Sequence, residues 1–168
     1  MTRTTEYKSP LGRMPLAVDE EGLTGAWFEG QKYFARDLSD ERTEQETPAL
    51  TEARRWLDLY FSGQEPDFMP RLHLEGTAFR RAVWELLRKI PYGKTTTYGA
   101  LAKQLEAETG RRGSAQAVGG AVGHNPVSIL VPCHRVVGQQ GSLTGYAGGL
   151  DKKLRLLILE NPSAEPLY

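Results

Sequence analysis

The sequence is poor in cysteine, in histidine, in net charge and in long apolar runs, and each shortage narrows what the chain can be. One cysteine among 168 residues, Cys133, can form neither an internal disulfide nor a multi-cysteine zinc site, and no metal is expected. An unpaired thiol fits a reducing compartment, so a cytoplasmic location is expected. No uninterrupted apolar stretch approaches the roughly 18–20 residues that a membrane span requires. The opening MTRTTEYKSPLGRM carries charge throughout, which argues against a secretory signal. No repeat or low-complexity tract is visible.

What is present describes a globular protein: 39% of residues are hydrophobic and 25% charged. The net charge of zero hides a sign split. Residues 1–75 hold 9 Lys/Arg against 15 Asp/Glu, a balance of −6, and residues 76–168 hold 12 against 6, a balance of +6. Two units are therefore expected, 1–75 with its linker and 76–168. The second is electrostatically suited to a polyanion, unless its basic residues merely form a solvated face.

The first unit reads as strands followed by a helix. Leu16–Val18 and Leu23–Phe28 are short apolar runs between glycines, and Phe34–Leu38 is a weaker strand candidate. The polar, acidic stretch Asp37–Thr47 reads as a solvated loop. Thr47 as cap, Pro48 in the first turn and Gly63 past the end punctuate a helix whose Leu50, Ala53, Leu57 and Tyr60/Phe61 would face the sheet. Gly63–Pro70 is the best linker candidate. His73, in an alternating Leu-His-Leu, is expected to point to solvent, and neither it nor His124 reads as catalytic.

The second unit is mostly helical. Thr77 caps a helix over Ala78–Lys89, with Phe79, Val83, Leu86, Leu87 and Ile90 on its apolar face and Trp84 as packing. A further helix fits Tyr98–Glu106, with a stripe of Leu101, Ala102 and Leu105. Gly110 and Gly113 bracket a turn containing Arg111 and Arg112, and Ser114 caps a helix Ala115–Gly123. Two short helices joined by an Arg-rich turn resemble a helix-turn-helix. The second of them, AQAVGGAVG, has three glycines in or near its interior, each costing about 1 kcal/mol relative to Ala. Either another helix packs closely on it, or it is a slim element that enters a nucleic-acid groove and reads shape and phosphates. A last helix, Asp151–Glu160, places Leu150, Leu154, Leu157 and Ile158 on one face, and Asn161-Pro162 stops it.

The chemistry concentrates in Asn125-Pro-Val-Ser-Ile-Leu-Val-Pro-Cys-His-Arg-Val-Val137. Its run Val127–Val131 is expected to be buried. Cys133 has two potentially cationic neighbours, His134 and Arg135, and positive charge stabilises the nucleophilic thiolate. In a regular strand Cys133 and His134 would face opposite ways, so a turn or a water relay must connect them. A Cys-His dipeptide alone is more often a buried small residue beside an imidazole. Arg135 reads as structural or phosphate-facing.

Pro-Cys-His-Arg-Val, preceded by Asn125-Pro126 and followed by Tyr146-Ala-Gly-Gly149, resembles the active site of the O6-alkylguanine-DNA alkyltransferases. The resemblance covers about residues 76–161, and the first half matches only in arrangement. It implies a ribonuclease-H-like α/β N-terminal domain and a mainly α C-terminal DNA-binding domain with the helix-turn-helix. The implied function is direct, irreversible repair of O6-alkylguanine, one lesion per molecule. The partner would be double-stranded DNA bearing alkylated guanine, met by a monomer without a cofactor.

Residue by residue, the resemblance makes Cys133 the alkyl acceptor, His134 the group taking its proton through a water, and Glu160 the group orienting His134. Asn125 would brace the turn, and Tyr98 would donate toward O6. The main-chain carbonyls of Cys133 and Val136 would accept from the guanine amine. Tyr146, Ala147, Gly148 and Gly149 would form one pocket wall, with the Ala147 N–H facing O6. A Glu at a helix C-terminus opposes the dipole, which suggests that Glu160 has a partner. Ser114, Ala115, Gln116, Ala117, Gly119, Arg111 and Arg112 would face the DNA minor groove, with the target nucleotide rotated out of the stack.

Two departures stand out. Gln116 occupies the position where the family usually has an Arg filling the gap left by the rotated nucleotide, so weaker duplex repair with intact reaction on free O6-benzylguanine is expected. Ala147 stands where Ser is common, which matters little if the backbone acts there. A transcription factor could use the same helix pair but has no need of a nucleophilic cysteine. A cysteine hydrolase could use Cys-His-Glu but would turn over and ignore DNA. Relatives that bind alkylated DNA without repair lack the cysteine.

Overall fold

The computed structural model describes residues 1–31, 42–110 and 112–163, which fall into two units. The first comprises Met1–Glu75 together with Pro126–Ser128, and the second Gly76–Asn125 and Ile129–Tyr168. Phe34–Leu38 and Arg111 lie outside the described residues.

In the first unit a four-stranded sheet runs in the order β3-β2-β1-β4. Strand β1 (Thr2–Ser9) pairs antiparallel with β2 (Gly12–Val18), which pairs antiparallel with β3 (Leu23–Ala26), and β4 (Arg42–Glu44) lies parallel to β1. Two of these strands depart from the sequence reading. The charged start forms β1, and part of the expected loop Asp37–Thr47 forms β4. Both are polar: in β1 only Tyr7 is buried, and its three threonines supply β-branched character where hydrophobicity is absent. Helix α1 (Pro48–Phe61) begins where the Thr47 hydroxyl accepts the Leu50 N–H at 3.2 Å. It buries Leu50, Ala53, Trp56, Leu57 and Tyr60, while Met14, Leu16, Val18 and Leu23 fill the core from the sheet. Residues after the expected linker also dock on this unit: Leu23 N–H donates to Arg71 O and His73 N–H to Leu23 O. Pro126–Ser128 joins the other side of β3, with Ala26 N–H donating to Pro126 O and Ser128 N–H to Ala26 O, both at 2.9 Å.

The second unit holds α2 (Ala78–Leu87), α3 (Tyr98–Thr109), α4 (Ala115–Gly123) and α5 (Leu150–Glu160), with a two-residue parallel pair, β5 (Thr96–Thr97) and β6 (Val136–Val137). Thr77, Thr97 and Ser114 cap the first three helices through side-chain oxygens, and Gly110 ends α3 in the left-handed conformation. Helix α2 packs on α3 and α4, and Trp84 donates from its indole to Ala121 O at 2.8 Å. The run Val127–Val131 is buried.

Helix α5 presents a different face from the one its leucines suggest. Leu150 and Ile158 are 45% and 41% exposed, and the buried stripe is Lys153, Leu156, Leu157 and Glu160. Two charged residues seven apart occupy it because each finds partners there.

Candidate active site

The turn carrying the cysteine is not a strand. After Pro132, residues Cys133–Arg135 form a single 3-10 turn closed by the Val136 N–H on Cys133 O. The Cys133 carbonyl, expected to receive a base amine, thus already accepts one bond and keeps its second lone pair. Behind the turn, the Asn125 amide donates to Val131 O at 2.8 Å, and its side chain also hydrogen-bonds the Cys133 sulfur. Just upstream, buried Ile129 holds a φ of +73°, a costly conformation for a β-branched residue.

His134 is fully buried, and its Nε2 lies 2.5 Å from Glu160 Oε2. Glu160 also accepts from Arg135 Nε at 2.8 Å, from the second Arg135 nitrogen at 3.1 Å and from the Gly93 N–H at 3.1 Å. These donors offset the helix C-terminus on which the carboxylate sits. Burial alone would raise the Glu160 pKa, but His134 and Arg135 hold it well below the usual carboxylate range. Burial lowers His134 despite the pull of Glu160, so the ring is neutral. With Nε2 donating to a carboxylate, the imidazole lone pair is at Nδ1, which is where a proton can be taken up.

Arg135 takes the structural of its two expected roles and is engaged away from the sulfur: its guanidinium is buried on Glu160 and donates to Ile90 O at 2.7 Å. Cys133 is only 6% exposed, and burial pushes its thiol above the ordinary value, partly countered by Asn125, by Lys153 and by the Cys133 and His134 backbone amides. The resting sulfur is therefore a thiol rather than a standing thiolate.

One buried cation of this unit is absent from the sequence reading. Lys153 has no exposed surface and donates to Thr144 O at 2.5 Å and Gly145 O at 3.0 Å; burial lowers its pKa to about 8. The Tyr98 hydroxyl donates to the same two carbonyls at 3.4 Å, and burial and the nearby Cys133 raise its pKa. Lys153 could have been found from its spacing of three, four and seven residues to Leu156, Leu157 and Glu160. Tyr146, Ala147 and Gly148 follow directly as a half-buried loop, and Gly149, bonded back to Tyr146 O, caps α5.

On α4, Ser114, Ala115, Gln116 and Ala117 are exposed and Gly119 half-buried, while Arg112 is exposed beside Glu106 at 3.3 Å. Internal packing does not explain the glycines of this helix. A Cβ at Gly120 or Gly123 would meet nothing within 4 Å, and one at Gly119 only the Tyr98 ring at an ordinary 3.8 Å. The alternative of close helix packing is removed, and what remains is an exposed, nearly side-chain-free helix surface.

In the first unit, His73 is not simply solvent-facing. Its Nδ1 lies 2.6 Å from Asp19, and its Nε2 lies 2.8 Å from Glu21 and 3.6 Å from Glu75. Among the described residues, Asp19, His73 and Glu75 have spacing that could hold a metal ion. The hydrogen bond from Asp19 raises the His73 pKa, and an imidazolium shared by three carboxylates accounts for the cluster.

Comparison with known proteins follows the two units. The family described as the ribonuclease-like domain of 6-O-methylguanine DNA methyltransferase matches residues 2–74, and its DNA binding domain matches 78–162. The resemblance therefore extends through the first half as well. The chain is 46% identical over 155 residues to the methylated-DNA–protein-cysteine methyltransferase of Methanosarcina acetivorans, covering 92% of this chain and 95% of that one. It is 44% identical to that of Mycolicibacterium paratuberculosis, covering 92% of each. The Mycobacterium tuberculosis O6-methylguanine methyltransferase structure superposes with a TM-score of 0.81 at 40% identity, covering 98% and 96% of the two chains. The same organism's OGT in complex with DNA gives 0.81 at 41%, covering 97% and 94%.

Proposed function

Because the chain belongs to the 6-O-methylguanine DNA methyltransferase family, we propose that it repairs DNA by moving the alkyl group of O6-alkylguanine onto its own Cys133, once per molecule. The observation that carries this reading is the sole thiol of the chain on a tight turn beside a neutral, carboxylate-bound imidazole. Glu160 fixes the His134 tautomer, and His134 takes the thiol proton through a water. The sulfur lone pair forms the S–C bond as the C–O6 bond breaks, and that bond's electron pair stays on the guanine. The base recovers a proton from the Tyr98 hydroxyl, which the imidazolium replenishes through solvent. A thiol and an O6-alkylguanine become a thioether and a guanine, with no cofactor or redox step. The thioether does not hydrolyse, so the protein is spent.

Asn125 braces the turn, the carbonyls of Cys133 and Val136 receive the base amine, and Tyr146, Ala147, Gly148 and Gly149 wall the pocket. Helix α4, through Ser114, Ala115, Gln116, Ala117 and Gly119, with Arg112 just before it in the chain, lies against the minor groove of duplex DNA. The glycines of α4, which no packing among the described residues requires, support this. A sequence-reading transcription factor would need long polar side chains on that surface. The protein acts as a monomer in the cytoplasm, where its thiol stays reduced.

The test is intact mass after incubation with an O6-methylguanine duplex. One added methyl on Cys133, absent from Cys133→Ser, is expected; repeated turnover or no adduct overturns the reading. Gln116→Arg should speed duplex repair and leave the reaction with free O6-benzylguanine unchanged, as single-turnover rates would register.

A further inference from the structure

The turn after α2, Ile90-Pro-Tyr-Gly93, grips both members of the buried Arg135–Glu160 ion pair. Ile90 O accepts from the guanidinium at 2.7 Å, and the centre of the Tyr92 ring lies 5.6 Å from it. The Gly93 N–H donates to Glu160 Oε1 at 3.1 Å. Gly93 holds a φ of +77°, and a Cβ there would lie 3.3 Å from the Glu160 main-chain oxygen, so the turn and the close approach both favour glycine. Four N–H groups thus converge on one carboxylate. Arg135 Nε at 2.8 Å and Gly93 N at 3.1 Å meet Oε1, while His134 Nε2 at 2.5 Å and the second Arg135 nitrogen at 3.1 Å meet Oε2. A carboxylate offers about four lone-pair sites, so both oxygens carry a full complement.

Saturation changes what the carboxylate does to its histidine. A carboxylate whose partner is an imidazole alone draws a proton onto the ring, and an imidazolium cannot act as a base. Here the guanidinium already cancels the charge, and its fork and the Gly93 amide fix the rotamer that presents Oε2 to His134. We propose that Arg135 and the Ile90–Gly93 turn are positioning elements for the transfer: they let Glu160 aim the imidazole while keeping it uncharged, so that Nδ1 stands ready for the thiol proton. The charged groups acting on the ring are Glu160 and Lys153 from α5 and Arg135 from its own turn, where the Cys133 thiol is its neighbour; both cations oppose protonation of the ring. When the proton passes from sulfur to Nδ1 through water, Arg135 and Glu160 still cancel, and the imidazolium and the thiolate balance each other. Alkylation consumes the thiolate and leaves the imidazolium uncompensated in a buried site. That favours onward passage of its proton through solvent to Tyr98 and the departing guanine.

This rests on His134 serving as the base for Cys133, so the deciding measurement needs neither guanine nor alkyl transfer. The ring nitrogen and Cε1–H resonances of His134 would be followed against pH in the native chain, in Arg135→Gln and in Gly93→Ala. In the native chain the ring should still be the neutral Nε2–H tautomer at about pH 6, below the ordinary imidazole value of about 6.5. An imidazolium there overturns the proposal. Arg135→Gln removes the cation and the fork, and the His134 midpoint should rise by about 1–2 pH units. The acid limb of the O6-benzylguanine rate profile should move with it. An unmoved midpoint in a folded Arg135→Gln, even with a slower reaction, would mean that the guanidinium only fills space, and the proposal fails. Should Arg135→Gln not fold, Gly93→Ala decides. It keeps every charge and disturbs only the turn, so a smaller rise, about half a unit, is expected, and no rise overturns the role of the turn. Absence of a methyl adduct from duplex DNA would count against the repair function alone and leaves the His134 titration intact.

Discussion

The two units follow the rules of folding to different degrees. In the first, charge sits at the rim: His73 keeps 27% of its side chain exposed and shares its proton with three acidic groups. Helix α1 has a capped start, a buried apolar stripe and no glycine. In the second, His134, Arg135, Lys153 and Glu160 are all buried, α4 spends three of nine positions on glycine, and Ile129 and Gln140 carry the positive φ values found outside glycine among the described residues. Departures from local preference gather where chemistry is done. The two histidines make the point in miniature. Each has a carboxylate within about 2.6 Å, yet His73 is driven toward the cation and His134 away from it. Burial, and an arginine already claiming the carboxylate, decide the proton rather than the hydrogen bond itself.

This contrast can be broken on purpose. Glu160→Gln should have the largest effect, because it leaves Arg135 buried without a counter-charge. A loss of about 3–5 kcal/mol in urea denaturation is expected, with slower benzylguanine transfer, whereas Asp19→Asn in the first unit should cost about 1 kcal/mol or less. Gly120→Ala should act in the opposite sense, gaining roughly 0.5–1 kcal/mol of stability while weakening duplex binding in a fluorescence titration. The smallest effect, and the one with the clearest sign, concerns pH. The raised His73 pKa contributes stability present below its ordinary 6.5 and lost as pH rises through the higher folded value. The lowered His134 pKa does the reverse: its contribution is present above 6.5 and fades as pH falls through the lower folded value. The thermal-midpoint penalty of His73→Gln should therefore be full near pH 6 and vanish in alkali. A penalty that grows with pH would contradict the assignment.

How much could be read in advance tracks how local the cause is. Thr47, Thr77 and Ser114 mark the starts of α1, α2 and α4 because a cap acts within three residues. The Cys-His string and the distant Glu160 were legible through a resemblance, and the unfavourable place of Glu160 on its helix already hinted at a partner. Strands β1 and β4 were not legible, because polar strands are made by their neighbours and not by their own pattern. Nor were the burial of Lys153 and the carboxylate that Arg135 meets, because their partners, the Thr144–Gly145 carbonyls and Glu160, are supplied by the tertiary fold. The direction in which burial pushes the Cys133 thiol has the same cause: two basic neighbours in sequence favour a thiolate, and the surroundings that oppose it come from the tertiary fold.

The bare face of α4 has a consequence for anyone improving this protein. Its glycines forgo stability that the surrounding packing would readily accept. A screen that rewards heat resistance alone would fill them with alanine, round after round, and, with α4 seated on DNA as proposed, its winners would be sturdier molecules that no longer settle onto their substrate. Evolution toward robustness and evolution toward usefulness part company at that surface.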